Sequence, residues 1–198
     1  MPRSLSVLSV KVERLGFTGI RLLHSGIYYC VDPGDLLENT TCHYILCSHF
    51  HREHCSESAF QSARVDRLVS PLLGVSVKPG DTVKLGDVLV EATSAYSRWS
   101  TRHPRGSGVG FYITFPSGLR VYYTGDTELV EELLSKSGHV DILILPISGE
   151  GVFTPEEAVE AVKSIKPSLV IPVHYEDFSV YYRFRDIAQP YTQVVRLW

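Results

Sequence analysis

Ser48-His49-Phe50-His51-Arg52-Glu53-His54 is the stretch on which the reading of this chain turns. It packs three imidazoles and a carboxylate into six positions, directly after the apolar run His43-Tyr44-Ile45-Leu46-Cys47. That run reads as a buried strand. Where a strand runs out into a loop, residues i and i+2 point the same way, so His49 and His51 can converge on one ion. Glu53 and His54 lie where the chain must turn, facing a second ion or the first ion's water. Zinc favours such nitrogen and oxygen ligands. A lone loop histidine says little, but three of the chain's eight histidines within six residues point to a metal.

Other metal motifs fit less well. A metalloprotease helix needs His-Glu-x-x-His, and no such string occurs. His51-Arg52-Glu53 matches the His-x-Glu of zinc deaminases, but their Pro-Cys-x-x-Cys is absent. Cys42, Cys47 and Cys55 leave a structural zinc knuckle open, although spacings of five and eight give no close Cys-x-x-Cys pair.

Outward from the histidines, the first third reads as strands. Val7 to Val12 largely alternates apolar and polar residues, and Gly19–Leu23 and Ile27–Val31 form a hairpin around His24-Ser25-Gly26. Asp32-Pro33-Gly34-Asp35 stops that strand. A Ser cap and helical spacing predict a helix over Ser56–Arg64. Strands follow around Leu85-Gly86-Asp87, and Val109–Thr114 and Leu119–Tyr123 flank a turn at Pro116-Ser117-Gly118. Asp126-Thr127 is expected to open a helix running to Leu134. The last third alternates: a buried strand Asp141–Leu145, a helix capped by Thr154-Pro155-Glu156-Glu157 and ended by Lys166-Pro167, then a buried strand Leu169–Val173. No repeat or linker divides the chain, which predicts one layered α/β domain over residues 1–198.

Composition narrows the function. A chain of 198 residues can bury a core without disulfides, and 44% apolar with 21% charged residues is ordinary for a soluble protein. The formal charge of -3 and the lack of a Lys/Arg run argue against nucleic acid as a partner. Arg98, Arg102 and Arg105 form the one local basic cluster. No stretch approaches the roughly 20 apolar residues of a membrane span, and Met1–Val10 lacks a secretory core, which predicts no membrane partner and a cytoplasmic location. Cys30, Cys42, Cys47 and Cys55 are accordingly expected to be reduced thiols that pack as small apolar groups. A single Asn and a single Met are a weak thermophilic signal.

The order of landmarks resembles the metallo-β-lactamase superfamily. His49-Phe50-His51-Arg52-Glu53-His54 is similar to its His-x-His-x-Asp-His, and Asp32-Pro33 to the Asp-Pro that precedes the first metal loop. Ala95-Tyr96 with His103-Pro104-Arg105-Gly106-Ser107-Gly108-Val109-Gly110 resembles the third-histidine motif of a branch that includes the ascorbate-6-phosphate lactonases. Tyr123-Thr124-Gly125-Asp126-Thr127 resembles that branch's Gly-Asp-Thr. Leu145-Pro146, Lys166-Pro167 and Ile171-Pro172-Val173-His174-Tyr175 resemble its closing segment.

That likeness implies a four-layer αββα sandwich, with mixed β-sheets and helices on the outer faces. It implies one metal at His49, His51 and His103, and a second at Glu53, His54 and His174 with Asp126 bridging. Asp32 would fix the ring of a metal histidine. The cofactor would be Zn2+, one or two ions, with Mn2+ or Fe2+ as substitutes. Two positions depart from the pattern: Glu53 replaces Asp, moving the carboxylate outward by ~1.5 Å, and Ser97 stands where many relatives carry Asn. The implied activity is hydrolysis of a small-molecule ester, lactone or phosphoester by a metal-bound hydroxide. Glu53 would serve the attacking water, Tyr175 an oxyanion, and Arg105 or Arg102 an anionic substrate group. The alternatives are a metal-binding or regulatory protein without turnover, and a redox di-iron site, against which His51 speaks because the iron-binding relatives use Glu there. A homo-oligomer stays open.

Overall fold

The computed structural model describes residues 3–34, 40–56 and 68–197, which form fourteen strands and three helices. The first sheet runs in chain order: β1 (Ser4–Val7), β2 (Val10–Leu15), β3 (Gly19–His24), β4 (Ile27–Val31), β5 (Tyr44–Leu46), β6 (Leu68–Ser70) and β7 (Val75–Ser76). The second does the same: β8 (Thr82–Leu85), β9 (Val88–Ala95), β10 (Gly108–Thr114), β11 (Arg120–Tyr123), β12 (Ile142–Pro146), β13 (Leu169–Val173) and β14 (Gln193–Val194). In each sheet the first four strands pair antiparallel and the remainder extend it in parallel. A topology therefore repeats where the sequence shows no repeat.

Period-two alternation assembles the layers. Ile142 and Ile144 of β12 turn into the core between the sheets, as do Val12, Leu22, Phe111 and Ile171. Leu143 and Leu145 turn the other way, onto Ala158, Ala161, Val162 and Ile165 of helix α2 (Pro155–Ile165) and Phe184 of helix α3 (Phe178–Ala188). Each fully buried aliphatic side chain contributes about 1.5–3 kcal/mol of transfer free energy. Helix α2 begins as its sequence predicts. Thr154 Oγ1 accepts from Glu157 N at 3.2 Å, and Glu157 Oε2 accepts from Thr154 N at 2.9 Å. The result is the expected mixed α/β sandwich. On the outer face of the first sheet, Ile45, Cys47, Cys55 and Leu68 form a small cluster. The helix expected over Ser56–Arg64 lies outside the described residues from position 57 onward.

Three expectations need correction. The strand read over Val7–Val12 is folded in two, because Leu8 and Ser9 adopt φ of 43° and 65° and turn β1 back onto β2. The helix expected from Asp126 starts only at α1 (Glu131–Leu134). Thr127 holds the intervening segment to its neighbours, since its Oγ1 accepts from Tyr96 N at 3.2 Å and its carbonyl accepts from Phe153 N at 2.9 Å. The cysteines are paired, not free: Cys30 with Cys42 and Cys47 with Cys55, at Cα separations of 5.7 and 5.9 Å. Size alone made disulfides unnecessary, but the parallel pairing of β4 with β5 brings the first two cysteines together. The tight turn through the histidines does the same for the second pair. No described helix is long and apolar enough to cross a membrane.

Candidate metal centre

Strand ends from both sheets meet at one edge of the sandwich. From the first sheet, β4 ends in Asp32 and β5 runs into the His49–His54 loop. From the second, β9 leads to the loop bearing His103, β11 to Asp126 and β13 to His174. Asp126 is the meeting point. Its Oδ2 lies 3.2 Å from His54 Nε2, 3.2 Å from His174 Nε2, 3.4 Å from His103 Nε2 and 3.9 Å from His49 Nε2. His51 Nδ1 sits 3.0 Å from His49 Nε2. The donor atoms of His49, His51 and His103 lie within 4.8 Å of one another, as do those of Glu53, His54 and His174.

The imidazoles are aimed by what holds their other nitrogen. His54 Nδ1 is 2.8 Å from Asp32 Oδ2, His49 Nδ1 is 2.9 Å from Ser48 Oγ, His103 Nδ1 is 3.2 Å from Gly151 O, and His174 Nδ1 is 3.0 Å from Ser148 Oγ. Such outer partners fix which nitrogen is turned to the ion. Asp32 is itself fully buried and accepts from Ser48 N at 2.7 Å, Ser48 Oγ at 2.5 Å and Tyr123 Oη at 2.8 Å. Asp32 and His174 hold φ of 45° and 55°, a strained region for residues other than glycine. His174 is braced there from the first sheet. Its N–H donates to Phe17 O at 3.2 Å, and its ring packs 4.6 Å from that of Phe17.

Glycines let the strands close in. A Cβ on Gly125 would meet Val109 O at 2.8 Å, and one on Gly110 would meet Thr93 Oγ1 at 2.6 Å and Thr124 O at 2.7 Å. The Gly108-Val109-Gly110 and Gly125-Asp126 strings therefore let the backbones pack closely beside the histidine cluster.

Charge is balanced inside the cluster. Burial would push His54 down, but Asp126 and Asp32 on either side hold it up to about 10. Burial would raise Asp126, yet the imidazoles of His54 and His174 keep it well below the usual carboxylate range. Asp32 is lowered in the same way: burial opposes the shift and His54 outweighs it. His49, buried and beside His54, is pushed down to about 3, and burial lowers His103 as well.

These residues fit a metal. His54 Nε2 and His103 Nε2 are buried and face Asp126 Oδ2 at 3.2 and 3.4 Å without an aligned hydrogen bond, an arrangement that an ion between them would complete. The set of imidazole nitrogens around a shared carboxylate suits zinc and neighbouring divalent ions. His49, His54, His103 and Asp126 are buried, whereas His51 and His174 are half-buried and Glu53 is exposed. The last three form the open side.

The structure gathers His49, His51, Glu53, His54, His103, Asp126, His174 and Asp32. It does not bring the other two residues of the sequence reading into the cluster. Tyr175, expected to serve an oxyanion, is buried against Tyr181, with rings stacked at 5.7 Å, and its hydroxyl accepts from Arg14 Nη1 at 3.4 Å. Arg105, expected to bind substrate, is exposed, paired with Glu132 and stacked over Tyr96 at 5.1 Å. It lines an open cleft of about 550 Å³ with Ser97, Arg98 and Trp99. Ser97 donates to Glu128 Oε1 at 2.6 Å and shapes this loop. Sequence reasoning missed Ser48, Ser148, Tyr123, Gly151 and Phe17. Only Ser48, next to His49, carried a local signal.

An α/β sandwich with histidines and a carboxylate converging at one sheet edge defines a metal-centre protein. The chain belongs to the β-lactamase superfamily: the family described as "Beta-lactamase superfamily domain" matches residues 11–174. A UPF0173 metal-dependent hydrolase of Thermoplasma acidophilum is 30% identical over 152 residues, covering 69% of this chain and 66% of that protein. A related hydrolase of Anaeromyxobacter dehalogenans is 29% identical, with 59% of its length covered. The chain thus spans less than two thirds of the length of these curated relatives. Among solved structures, a proposed metal-dependent hydrolase of Parabacteroides distasonis is 25% identical with a TM-score of 0.86, over 100% of this chain and 98% of that one. The diiron β-hydroxylase CmlA of Streptomyces venezuelae shares the fold alone, at 16% identity and a TM-score of 0.73, over 100% of this chain and 53% of that one.

Proposed function

We propose that this protein hydrolyses a small-molecule ester, lactone or phosphoester with divalent metal, zinc in the simplest case, held by His49, His51, His103, His54, His174, Glu53 and Asp126. The convergence of four imidazole nitrogens on one oxygen of Asp126 carries the reading. When bound, the metal supplies a water nucleophile at neutral pH and positive charge for a developing oxyanion. The protein's own part is to position. Asp126 joins the two ligand groups, while Asp32, Ser48, Ser148 and Gly151 O hold the rings in the orientation that ligation needs. Glu53, exposed beside His54 and His174, accepts the proton of the attacking water. Substrate approaches over the open side formed by His51, Glu53 and His174.

Support for hydrolysis comes from the metal-dependent hydrolases among the relatives. The likeness to a diiron β-hydroxylase sustains the redox reading, against which His51 supplies nitrogen in place of a carboxylate. We place the reaction in the cytoplasm. Cystines are unusual there except in hyperthermophiles, so fractionation of cells making the protein checks this part.

Elemental analysis followed by lactone and phosphodiester panels tests the proposal. Zinc with turnover that is lost in His49→Ala is the expected result. A purified protein without metal, or a His49→Ala variant as active as the parent, would overturn it. Iron with a visible absorption band would promote the redox reading instead.

A further inference from the structure

Tyr175 leads to chemistry outside the metal cluster. One residue past His174, its side chain lines a cavity of about 280 Å³ together with Arg14, Gly16, Phe178 and Arg196. Among the described residues the wall carries the donors of Arg14 and Tyr175. Arg14 has five N–H groups and spends three: Nε on Gly16 O at 2.9 Å, Nη2 on Phe17 O at 3.0 Å and Nη1 on Tyr175 Oη at 3.4 Å. One N–H remains on each terminal nitrogen, and no carboxylate among the described residues pairs with this guanidinium. Tyr175 accepts from Arg14, and no described oxygen accepts the proton of its own hydroxyl. Arg196 lies on the same wall. It is 8% exposed, with its guanidinium 4.0 Å from the centre of the Phe178 ring and 5.5 Å from that of Tyr181. Glu176, exposed, is the sole acidic side chain among the described residues lining the cavity.

We propose that this cavity is an anion subsite, which takes the carboxylate or phosphate of a small ligand. Two N–H groups of Arg14 and the hydroxyl of Tyr175 supply charge-assisted hydrogen bonds, the kind that arginine makes best with such groups. Location ties the subsite to the metal cluster. The turn that Arg14 grips carries Phe17, whose carbonyl and ring hold His174. An anion seated here fixes one end of a molecule whose other end lies over the open side of the metal centre. This last link rests on the hydrolase reading; the subsite itself does not.

The test titrates the zinc-loaded protein with inorganic phosphate and, separately, with acetate. Tyrosine-ring and arginine side-chain NMR signals report the site of binding. Saturable shifts at Tyr175 and Arg196 are expected, with affinity about tenfold weaker in Tyr175→Phe, which keeps the ring and loses the proton. Phosphate stronger than acetate identifies a phosphate arm, and the reverse order a carboxylate arm. Shifts confined to the metal histidines, or equal affinity in Tyr175→Phe, would overturn the subsite. Arg14→Lys, checked for folding by circular dichroism, gives an independent loss of affinity. In a second arm, an ester with an anionic substituent is compared with its neutral isostere. Tyr175→Phe should raise the ratio of their KM values about tenfold, and an equal rise for both would count against the proposal. Phosphate binding at Tyr175 in a protein that turns over no ester, lactone or phosphodiester leaves the subsite standing and removes the hydrolase reading.

Discussion

The two sheets share a strand plan and supply the metal centre in opposite ways. From the first comes a single loop, in which His49, His51, Glu53 and His54 fall within six residues and the Cys47–Cys55 disulfide closes the ends. From the second come His103, Asp126 and His174, on three separate loops that follow β9, β11 and β13 and spread over 72 positions. The contiguous half is organised by the chain itself. The dispersed half depends on correct pairing of β9, β10, β11, β12 and β13 before its side chains can meet. A local device and a long-range one therefore converge on Asp126, and each half can be disturbed separately.

The largest effect is expected where the halves join. Asp126→Asn keeps the shape of the side chain but leaves four imidazoles facing a neutral amide. Turnover of a responsive ester should fall about 10²–10³-fold, with metal content reduced by elemental analysis. Full metal and full rate would mean that the halves do not meet on this oxygen.

The next comparison sets Asp32→Asn against Ser148→Ala, the outer partners of His54 and His174. Competition with a chelator should show about 10–100-fold weaker metal binding for Asp32→Asn. Ser148→Ala should cost less, because a hydroxyl carries no charge. A larger loss at Ser148 would reverse the assignment of the better-held half.

Removing the staple probes the local device alone. Replacing Cys47 and Cys55 together by Ser should cost about 2–3 kcal/mol from loop closure, measured by urea unfolding. Faster amide exchange should be confined to the first sheet. Spread into β11–β13 would show that the halves are not independent.

The smallest effect is a proton count. In protein stripped of metal, His54 is held up to about 10, above its ordinary 6.5. The stabilisation it gives is fully present below pH 6.5 and is lost as pH rises through about 10. Ligation needs a neutral ring, so zinc uptake at pH 8 should release about one proton from this residue. Affinity should climb with pH over that window. Calorimetry in two buffers of different ionisation enthalpy measures it, and uptake without proton release would contradict the charge placed on His54.

The same contrast explains what the sequence made legible. The first half announced itself, because spacing within one loop reports geometry directly. Asp126 by itself reads as a helix cap and His174 as a core histidine, and only the family's motif order joined them to the centre. Ser148, Tyr123 and Phe17 act across strands, and no local pattern encodes a contact between residues 17 and 174. Strands β6, β7 and β14, of two or three residues, are too short to alternate. Helix α3 was there to be read from the Asp177 cap and from Tyr181, Phe184 and Ala188 on one face. The cysteines misled for a different reason. Chain length says whether a staple is needed, not whether two strands happen to bring thiols together.

Those bridges have a consequence beyond stiffness. Four thiolates among imidazoles that seek zinc would be rivals for the same ion, since sulfur binds zinc at least as readily as nitrogen. Bonded to each other, they leave the contest. A chain oxidised before it meets zinc has its ion choose among imidazoles and carboxylates alone, whereas a reduced one offers it a second, soft set of ligands a few residues away.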